Sequence, residues 1–500
     1  MDLRISTTPA HESDADLLAV IVDDPATLPA AAAELDNLLD GALTRELQRG
    51  RVKADAASIA IVTGAASGPV RIALVGHGPD ADGLGDALRV AGSRIAGAAR
   101  SVEARHVAIV GPGTAEDADA LVTGTILGAF RIHKYRGERS EADGDDATTG
   151  YDGIELLTMH GDDSAIGAAA RRARTLADAQ NWARDLANAP ANMMMPVDLA
   201  AAANELAQAH EHLSCRALDR SEIVAAGMGM FAGVAQGSAD EPRLIVLEWN
   251  PPGADEPDEE RLALVGKAVV FDTGGISIKP SGGMEAMKLD KSGGCAVLGA
   301  MRAIAETAVP RRVIALVGAT TNMPDGDAYR PGDVVTAMDG TTVEIISTDA
   351  EGRLVLGDCI AYARQLGCGA IVEASTLTGA MVVALGFRYA GAVAKAGRLT
   401  DAVLAAGDAT GDHAWHMPMH DEYKATLRTD CADLKNSGAR EGGGLAAGAF
   451  LGHFAKDTPF VHLDVAGSAM LSKPRLWYGT RGASGWGVRL MTELAGTWRP

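Results

Sequence analysis

Cysteine is scarce: Cys215, Cys295, Cys359, Cys368 and Cys431 are odd in number, scattered, and contain no Cys-x-x-Cys pair. This excludes a disulfide scaffold and a cysteine-type zinc finger, and it fits reduced thiols in the cytoplasm. No run approaches the roughly 20 apolar residues that a membrane helix needs. The opening Met-Asp-Leu-Arg-Ile-Ser-Thr-Thr-Pro has no apolar core after a basic start, so no signal peptide is expected. Positive charge is also short, with 45 Lys+Arg against 66 Asp+Glu leaving −21 spread along the chain. Such a surface repels phosphate backbones and anionic lipid, which argues against nucleic acid or a membrane as partner. What is present is length: 500 residues, at roughly 150 per domain, predict at least two domains with sizeable cores.

In the first part, apolar runs alternate with helical stretches. Strands are expected at Leu17–Val22, Ser58–Val62, Arg71–Val75 and His106–Val110, and helices over Ala30–Leu47, Ala81–Ala98 and Ala115–Ile132. Buried strands separated by helices of this length predict a parallel or mixed sheet covered on both faces. No polar constellation in this part suggests catalysis. The segment RGERSEADGDDATTGYDG, residues 136–153, has little to bury and reads as a surface excursion. An Ala/Arg-rich helix over Ala165–Ala187 then serves as connector, dividing the chain into domains 1–163 and 164–500. Alternation resumes with strands near Leu244–Leu247, Leu262–Val265, Val313–Val317, Ala370–Glu373 and Val461–Asp464, and helices over Gly294–Thr307 and Arg353–Gln365. The expected class is α/β: a smaller N-terminal α/β domain joined by a helix to a larger C-terminal α/β domain with a mixed, mostly parallel sheet.

The unusual chemistry lies in the second part. In GKAVVFDTGGISIKPSGGMEAMKLDKS, apolar runs flank Lys267 and deliver Asp272 to a strand end followed by Thr273-Gly274-Gly275, with Lys279 and Asp290 in the loop beyond. Paired glycines after a carboxylate allow close backbone approach, and strand C-termini are where α/β sheets hold ligands. In VEIISTDAEGRLVL, an apolar segment ends at Ser347, and Asp349 and Glu351 fall on one side of an extended turn with Arg353 close behind. Each stretch alone has a bland alternative: a Gly-rich turn with solvated charges, or a helix N-cap at Thr348 or Asp349 with an acidic first turn. Together they supply Asp272, Asp290, Asp349 and Glu351, whose mutual repulsion is naturally compensated by two divalent cations. A neutral Lys267 amine would be a fifth ligand, leaving Lys279 and Arg353 for a developing oxyanion. This is the inventory of two-metal hydrolysis.

At this point the sequence resembles the leucine aminopeptidase (cytosol aminopeptidase) family of two-metal exopeptidases. Ser347–Leu354 is nearly that family's Asn-Thr-Asp-Ala-Glu-Gly-Arg-Leu, and GKAVVFDTGGISIKP, AYRPGDVV, TLTGA and HLDVAGSA match in order and spacing across Gly266–Ala469, with RDLANAP upstream. The resemblance implies that Lys267 and Asp290 bind one metal, Asp349 the other, and that Asp272 and Glu351 bridge both. It makes Lys279 and Arg353 the catalytic pair, with bicarbonate held at Arg353 as proton shuttle. Leu377 (through its carbonyl), Met287, Thr376 and Ala466 match substrate-binding positions. It further implies hydrolysis of the N-terminal residue of peptides, leucine and similar residues preferred, by a cytoplasmic homohexamer carrying Mn²⁺ or Zn²⁺, with Co²⁺ or Mg²⁺ as alternatives.

Two departures stand out. Ser347 replaces the usual asparagine, and Lys291 follows Asp290 where the family usually has an apolar residue. Lys291 is expected to point outward and so to be nearly harmless, whereas a cation facing the site would weaken metal binding. His413, His416 and His420 mimic a zinc helix, but Pro418 interrupts it and the chain has no His-Glu-x-x-His. His210 and His212 are expected on different faces of a helix, solvated. Gly227, Gly229 and Gly233 lack the dinucleotide-loop spacing, and Gly442–Gly444 read as backbone passing near the site. Two other readings stay open: a different two-metal hydrolase such as a phosphoesterase, and a binding or regulatory protein with a vestigial site.

Overall fold

The structure is a computed structural model that describes residues 2–53, 58–64, 68–77, 86–111, 113–132, 134–135, 152–158, 164–254, 257, 260–478 and 481–500. The expected excursion lies outside the described residues over 136–151. The chain divides into two units, Met1–Asn181 with Pro474–Thr480, and Trp182–Lys473 with Arg481–Pro500. Both are α/β.

The first unit contains strands β1 (Asp2–Ser6), β2 (Leu17–Val22), β3 (Ile59–Thr63), β4 (Arg71–Gly76), β5 (His106–Val110) and β6 (Gly153–Leu157), ordered β1-β6-β5-β2-β4-β3. All neighbours run parallel except β3 against β4. Successive residues of these strands feed two different cores. Leu17, Ala19, Ala73, Val75, Val107 and Ile109 enter one, and Leu18, Val20, Ile72, Leu74, Ala108 and Val110 enter the other. That is why the strands read as unbroken apolar runs: a period of two with both faces buried leaves no polar alternation.

The expected helix over Ala30–Leu47 is broken. A 3₁₀ turn Ala30–Ala32 and helices Ala33–Leu38 and Ala42–Gln48 replace it, with Asp40 and Gly41 at φ 52° and 77° reversing the chain. Buried Asp36 fixes the break, accepting from the Leu43 amide at 2.8 Å and from the Thr44 hydroxyl at 2.5 Å. The helix expected from Ala81 runs Ala87–Ser101, with 81–85 outside the described residues, and its neighbour ends at Ala129, where Phe130 turns extended. Strands β1 and β6 are additions to the expected set.

The second unit adds β7 (Leu213–Leu218), β8 (Arg243–Trp249), β9 (Leu262–Asp272), β10 (Val313–Asn322), β11 (Val334–Thr336), β12 (Thr342–Glu344), β13 (Ala370–Ser375), β14 (Ala390–Ala394), β15 (Ala414–Pro418), β16 (Leu434–Lys435) and β17 (Phe460–Asp464). Its main sheet is ordered β15-β14-β17-β13-β9-β10-β8-β7, and β11-β12-β16 form a small separate sheet. The central four, β17-β13-β9-β10, are parallel, flanked by the antiparallel pairings β14–β17, β10–β8 and β7–β8. Ala263, Val265, Ile314 and Leu316 pack against Leu354, Val355 and Ile360 of helix Gly352–Gln365, and against Phe450 and Phe454 of helix Gly443–Ala455. No helix among the described residues is long and apolar enough to cross a membrane.

Candidate metal centre

The carboxyl ends of the four central parallel strands carry Asp272 (β9), Asn322 (β10), Ser375 (β13) and Asp464 (β17). The two apolar runs around Lys267 form one eleven-residue strand, so Lys267 projects from a buried strand interior. Asp290 follows the 3₁₀ turn Met284–Leu289 and precedes helix Ser292–Glu306. Asp349 and Glu351 lie between β12 and helix Gly352–Gln365. Glu351 is that helix's N-cap residue, yet its side chain makes no capping bond. The bland reading, a cap at Thr348 or Asp349 with an acidic first turn, therefore fails: the helix starts later, at Gly352, and its first turn holds no acidic residue.

The Lys267 ammonium lies 2.7 Å from Asp290 Oδ2 and 2.7 Å from Glu351 Oε1. Its reach depends on Gly352, where a Cβ would lie 2.8 Å from both Lys267 Cε and Nζ. Lys279 Nζ is 2.8 Å from Asp272 Oδ2 and also contacts Asp349 Oδ1. Asp272, Asp290 and Glu351 are buried and each presents an oxygen within 4.8 Å of the others. Asp349, with a side chain 39% exposed, lies outside that trio and joins it through Lys279. Thr376 donates its hydroxyl to Asp290 at 2.6 Å, and its carbonyl lies 3.4 Å from Lys267 Nζ. Met287 offers its carbonyl to the Asp290 amide at 3.2 Å. The amides of Leu377 and Ala466 meet at Asp464 Oδ1, at 3.4 and 3.2 Å. Arg353 is buried and donates to the Asn436 carbonyl at 2.7 Å.

Four carboxylates face two ammonium groups here, so negative charge is in excess. Burial, reinforced by Asp272, pushes the Glu351 carboxyl up to about 8, with Lys267 opposing. Burial raises Asp290 to about 6 against the same lysine. Burial works against the charge on Lys267, but Asp290, Glu351 and Asp272 outweigh it and hold the amine strongly protonated. Lys279 behaves likewise through Asp272 and Glu351. Burial lowers Arg353 to about 10, which still leaves it a cation at neutral pH. Glu351 Oε2 is buried with no hydrogen-bond partner. Excess buried negative charge, a close trio of carboxylate oxygens and an unpaired Glu351 oxygen fit hard divalent cations.

Several supporting residues carry no motif of their own. Asn322 donates to Asp272 Oδ1 at 2.8 Å and to the Thr348 carbonyl at 3.0 Å, and the Tyr329 hydroxyl donates to that same carbonyl at 2.8 Å. Asn436 accepts from the Ile346 amide at 2.8 Å and donates to the Ser347 carbonyl at 2.7 Å, clamping the loop that carries Asp349. A polar residue closing an apolar strand was the available signal for Asn322. For Asp464, it was the HLDVAGSA stretch.

Lys291 does not point outward. It is 0% exposed, and its ammonium donates to the carbonyls of Ala189 at 2.9 Å and Lys288 at 2.6 Å. The three histidines of the apparent zinc motif go to separate partners. His413 lies 3.2 Å from Asp408, His416 sits on β15 at 3.1 Å from the Ala394 carbonyl, and His420 caps helix Asp421–Ala425. His210 and His212 lie half-buried in the turn after helix Pro196–Gln208, not on a helix. Within the first unit, Asp14, His106 and Glu155 also cluster. There Nδ1 faces Asp14 at 3.8 Å and Nε2 faces Glu155 at 3.7 Å, with the Asp14 side chain 90% exposed, so this cluster lacks the burial of the one around Lys267.

The chain matches the model of the cytosol aminopeptidase family catalytic domain over residues 181–492 and that of the family's N-terminal domain over residues 19–139. It is 45% identical over 382 residues to a probable cytosol aminopeptidase of Solibacter usitatus, covering 76% of this chain and 77% of that one. Against the Allorhizobium ampelinum counterpart it is 39% identical over 502 residues, covering 99% and 98%. Among solved structures, a mutant of tomato leucine aminopeptidase superposes with TM-score 0.87 at 30% identity, covering 99% of this chain and 96% of that one. The bottromycin maturation enzyme BotP in complex with Mn gives TM-score 0.83 at 31% identity, covering 96% and 99%. With both domain models matched in order on a chain whose buried carboxylates and lysines gather at the strand ends, this protein belongs to the cytosol aminopeptidase family.

Proposed function

We propose that this metal-dependent aminopeptidase removes N-terminal leucine and similar residues from peptides at the cluster around Lys267 and Glu351. The observation that carries the reading is the buried trio Asp272, Asp290 and Glu351 with one Glu351 oxygen unpaired. Lys267 and Asp290 would hold one divalent cation, Asp349 the other, and Asp272 and Glu351 both. When bound, two such ions supply Lewis-acid polarisation of the peptide carbonyl and a water of lowered pKa. To be a ligand, Lys267 would have to be the neutral amine, which requires the positive charge it now sets against Asp290 and Glu351 to be supplied by other cations. Asn322 and Thr376 hold Asp272 and Asp290 in fixed orientations by single hydrogen bonds at 2.8 and 2.6 Å.

Lys279, 21% exposed and fixed on Asp272, would aim positive charge at the developing oxyanion. Arg353 cannot serve as a base. Held by Asn436, it would retain an anion such as bicarbonate to move the proton. The free α-amine would be read at the Lys267–Asp290 half, with Leu377, Met287, Thr376 and Ala466 lining the peptide. Mn²⁺ and Zn²⁺ are the proposed ions, because a donor set of carboxylates and one amine, without thiolate or imidazole, accepts either. The lack of a disulfide among the described residues and the family's name support a cytoplasmic location. A homohexamer is proposed from the family resemblance, and sedimentation of the purified protein tests it.

The deciding experiment uses metal-stripped protein, resupplied with Mn²⁺, Zn²⁺ or Co²⁺, on a leucine anilide and its N-acetylated twin. The free substrate should turn over only with metal, and the acetylated one not at all. Equal rates on both would indicate an endopeptidase or esterase, and hydrolysis of phosphate esters alone a phosphoesterase.

A further inference from the structure

In the middle of the second unit's sheet lies a row of ionisable side chains that the proposed reaction does not use. Glu373 on β13 and His462 on β17 are direct cross-strand partners, and Ser375 pairs with Asp464 two residues on. Glu373, His462 and Asp464 all have side chains 0% exposed. His462 Nδ1 lies 2.5 Å from Glu373 Oε2, and Nε2 lies 4.0 Å from Asp464 Oδ2. Residues i and i+2 of a strand share a face, so His462 stands between the two carboxylates on one side of the sheet.

Burying three ionisable groups where apolar ones would pack costs several kcal/mol unless they pair. A neutral imidazole has one N–H, and so could satisfy only one of the two carboxylates it faces. An imidazolium donates from Nδ1 to Glu373 and sets a positive charge against Asp464. Asp464 is where the row reaches the site. Its Oδ2 accepts the Thr378 hydroxyl at 2.6 Å, and its Oδ1 accepts the amides of Leu377 and Thr378 at 3.4 and 3.5 Å. The same turn begins at Thr376, whose hydroxyl binds Asp290 and whose carbonyl lies near Lys267. A continuous line of contacts therefore runs from Glu373 through His462 and Asp464 to the turn beside the carboxylate cluster.

We propose that His462 is a positioning residue: held as a cation between Glu373 and Asp464, it fixes Asp464, which in turn fixes the Thr376–Thr378 turn against the substrate. Only the kinetic arm of its test rests on the aminopeptidase reading. The test uses full-length, metal-loaded protein carrying His462→Gln, which keeps a hydrogen-bonding side chain and removes the charge. Hydrogen exchange of the Leu377 and Thr378 amides should quicken at least about tenfold, equivalent to about 1.4 kcal/mol, while β9 stays protected. Metal per chain should be unchanged, and kcat/KM for a leucine anilide should fall about tenfold, mostly through KM. If that variant fails to fold, Glu373→Gln carries the same test, since it keeps shape and removes the charge that anchors His462. Unchanged exchange at residues 377–378 in a folded variant would overturn the proposal, as would lost metal without faster exchange. An inactive wild type would sink the aminopeptidase reading and leave the exchange result standing.

Discussion

The two sheets follow the same construction rule and differ in what their strand ends carry. In the first unit, β2 and β4 run out into Asp23 and His77, whose side chains lie 3.1 Å apart with the Asp23 side chain 81% exposed. In the second, the corresponding ends of β9, β10, β13 and β17 carry Asp272, Asn322, the Thr376 turn and Asp464, all but the edge of that turn buried. Parallel sheets offer ligands the same kind of crevice in both cases. What separates them is burial. A solvated pair is screened and changes little, whereas carboxylates forced together out of water create a demand for cations. The fold supplies the place and the buried charge supplies the chemistry.

The comparison breaks most visibly at Glu351. Glu351→Ala removes both oxygens of the proposed bridging ligand, so metal per chain should drop and kcat/KM should fall below about 1/1000 of wild type. Lys279→Ala should retain metal and lose about 100- to 1000-fold, the usual cost of one donor aimed at an oxyanion. His77→Ala at the first sheet's strand ends should stay within about twofold of wild type. Elemental analysis with steady-state kinetics checks all three. Two metals retained in Glu351→Ala would refute the bridging role, and a large loss in His77→Ala would erase the contrast between the sheets.

Adding the same methyl group in each unit sharpens the contrast. At Gly124 a Cβ would lie 2.2 Å from the Arg89 carbonyl oxygen of the neighbouring helix, which cannot yield without moving backbone. Gly124→Ala should therefore cost stability, about 1–3 kcal/mol, and leave kcat/KM of the folded fraction unchanged. At Gly352 the Cβ would meet the end of the Lys267 side chain. Gly352→Ala should cost less in stability, under about 1.5 kcal/mol, but cut kcat/KM about tenfold or more by displacing that amine. Thermal unfolding beside kinetics separates the two, and the reverse ranking would show that Lys267 can move freely.

Much of this was legible in the sequence, for identifiable reasons. Strands such as β2 and β9 declared themselves because both faces are buried, and Lys267, Asp272, Asp290, Asp349 and Glu351 declared themselves because they lie within short, unusual runs. The helix expected over Ala30–Leu47 failed because apolar spacing does not register a reversal set by two residues of positive φ and a buried Asp36. Strand β1 is an edge strand with exposed charged positions, which weakens the apolar signal. Asn322, Asn436 and Asp464 gain their meaning only from partners distant in sequence: Asn322 lies 50 residues from Asp272 and Asn436 lies 90 from Ile346. The pairing of Glu373 with His462, 89 residues apart, was invisible for the same reason, although His462 opens the HLDVAGSA stretch.

Lys291 is the sharpest misreading, and its replacement is the smallest effect expected. Beside Asp290 at a helix start, a lysine reads as a solvent-facing charge. It is buried because glycine at 293 lets the helix start press on β13, where a Cβ would lie 2.2 Å from the Ala374 carbonyl oxygen. Burial lowers its amine to about 8, so it remains mostly charged at neutral pH, and two carbonyls take the place of water. In Lys291→Met those carbonyls lose their donor, at about 1–3 kcal/mol for an unsatisfied buried group, while the cost of burying an ammonium disappears. The two effects oppose, and the net loss of stability should be about 1 kcal/mol. Removing a cation near Asp290 favours metal binding, and loosening the turn that carries Asp290 disfavours it. Metal affinity should therefore change by less than about tenfold (about 1.4 kcal/mol), with the choice of peptide unaltered. Metal titration of both proteins, with kinetics at saturating Mn²⁺, measures this. A large fall in turnover at full occupancy would place Lys291 within the reaction itself and end its reading as a clamp between Ala189 and Lys288.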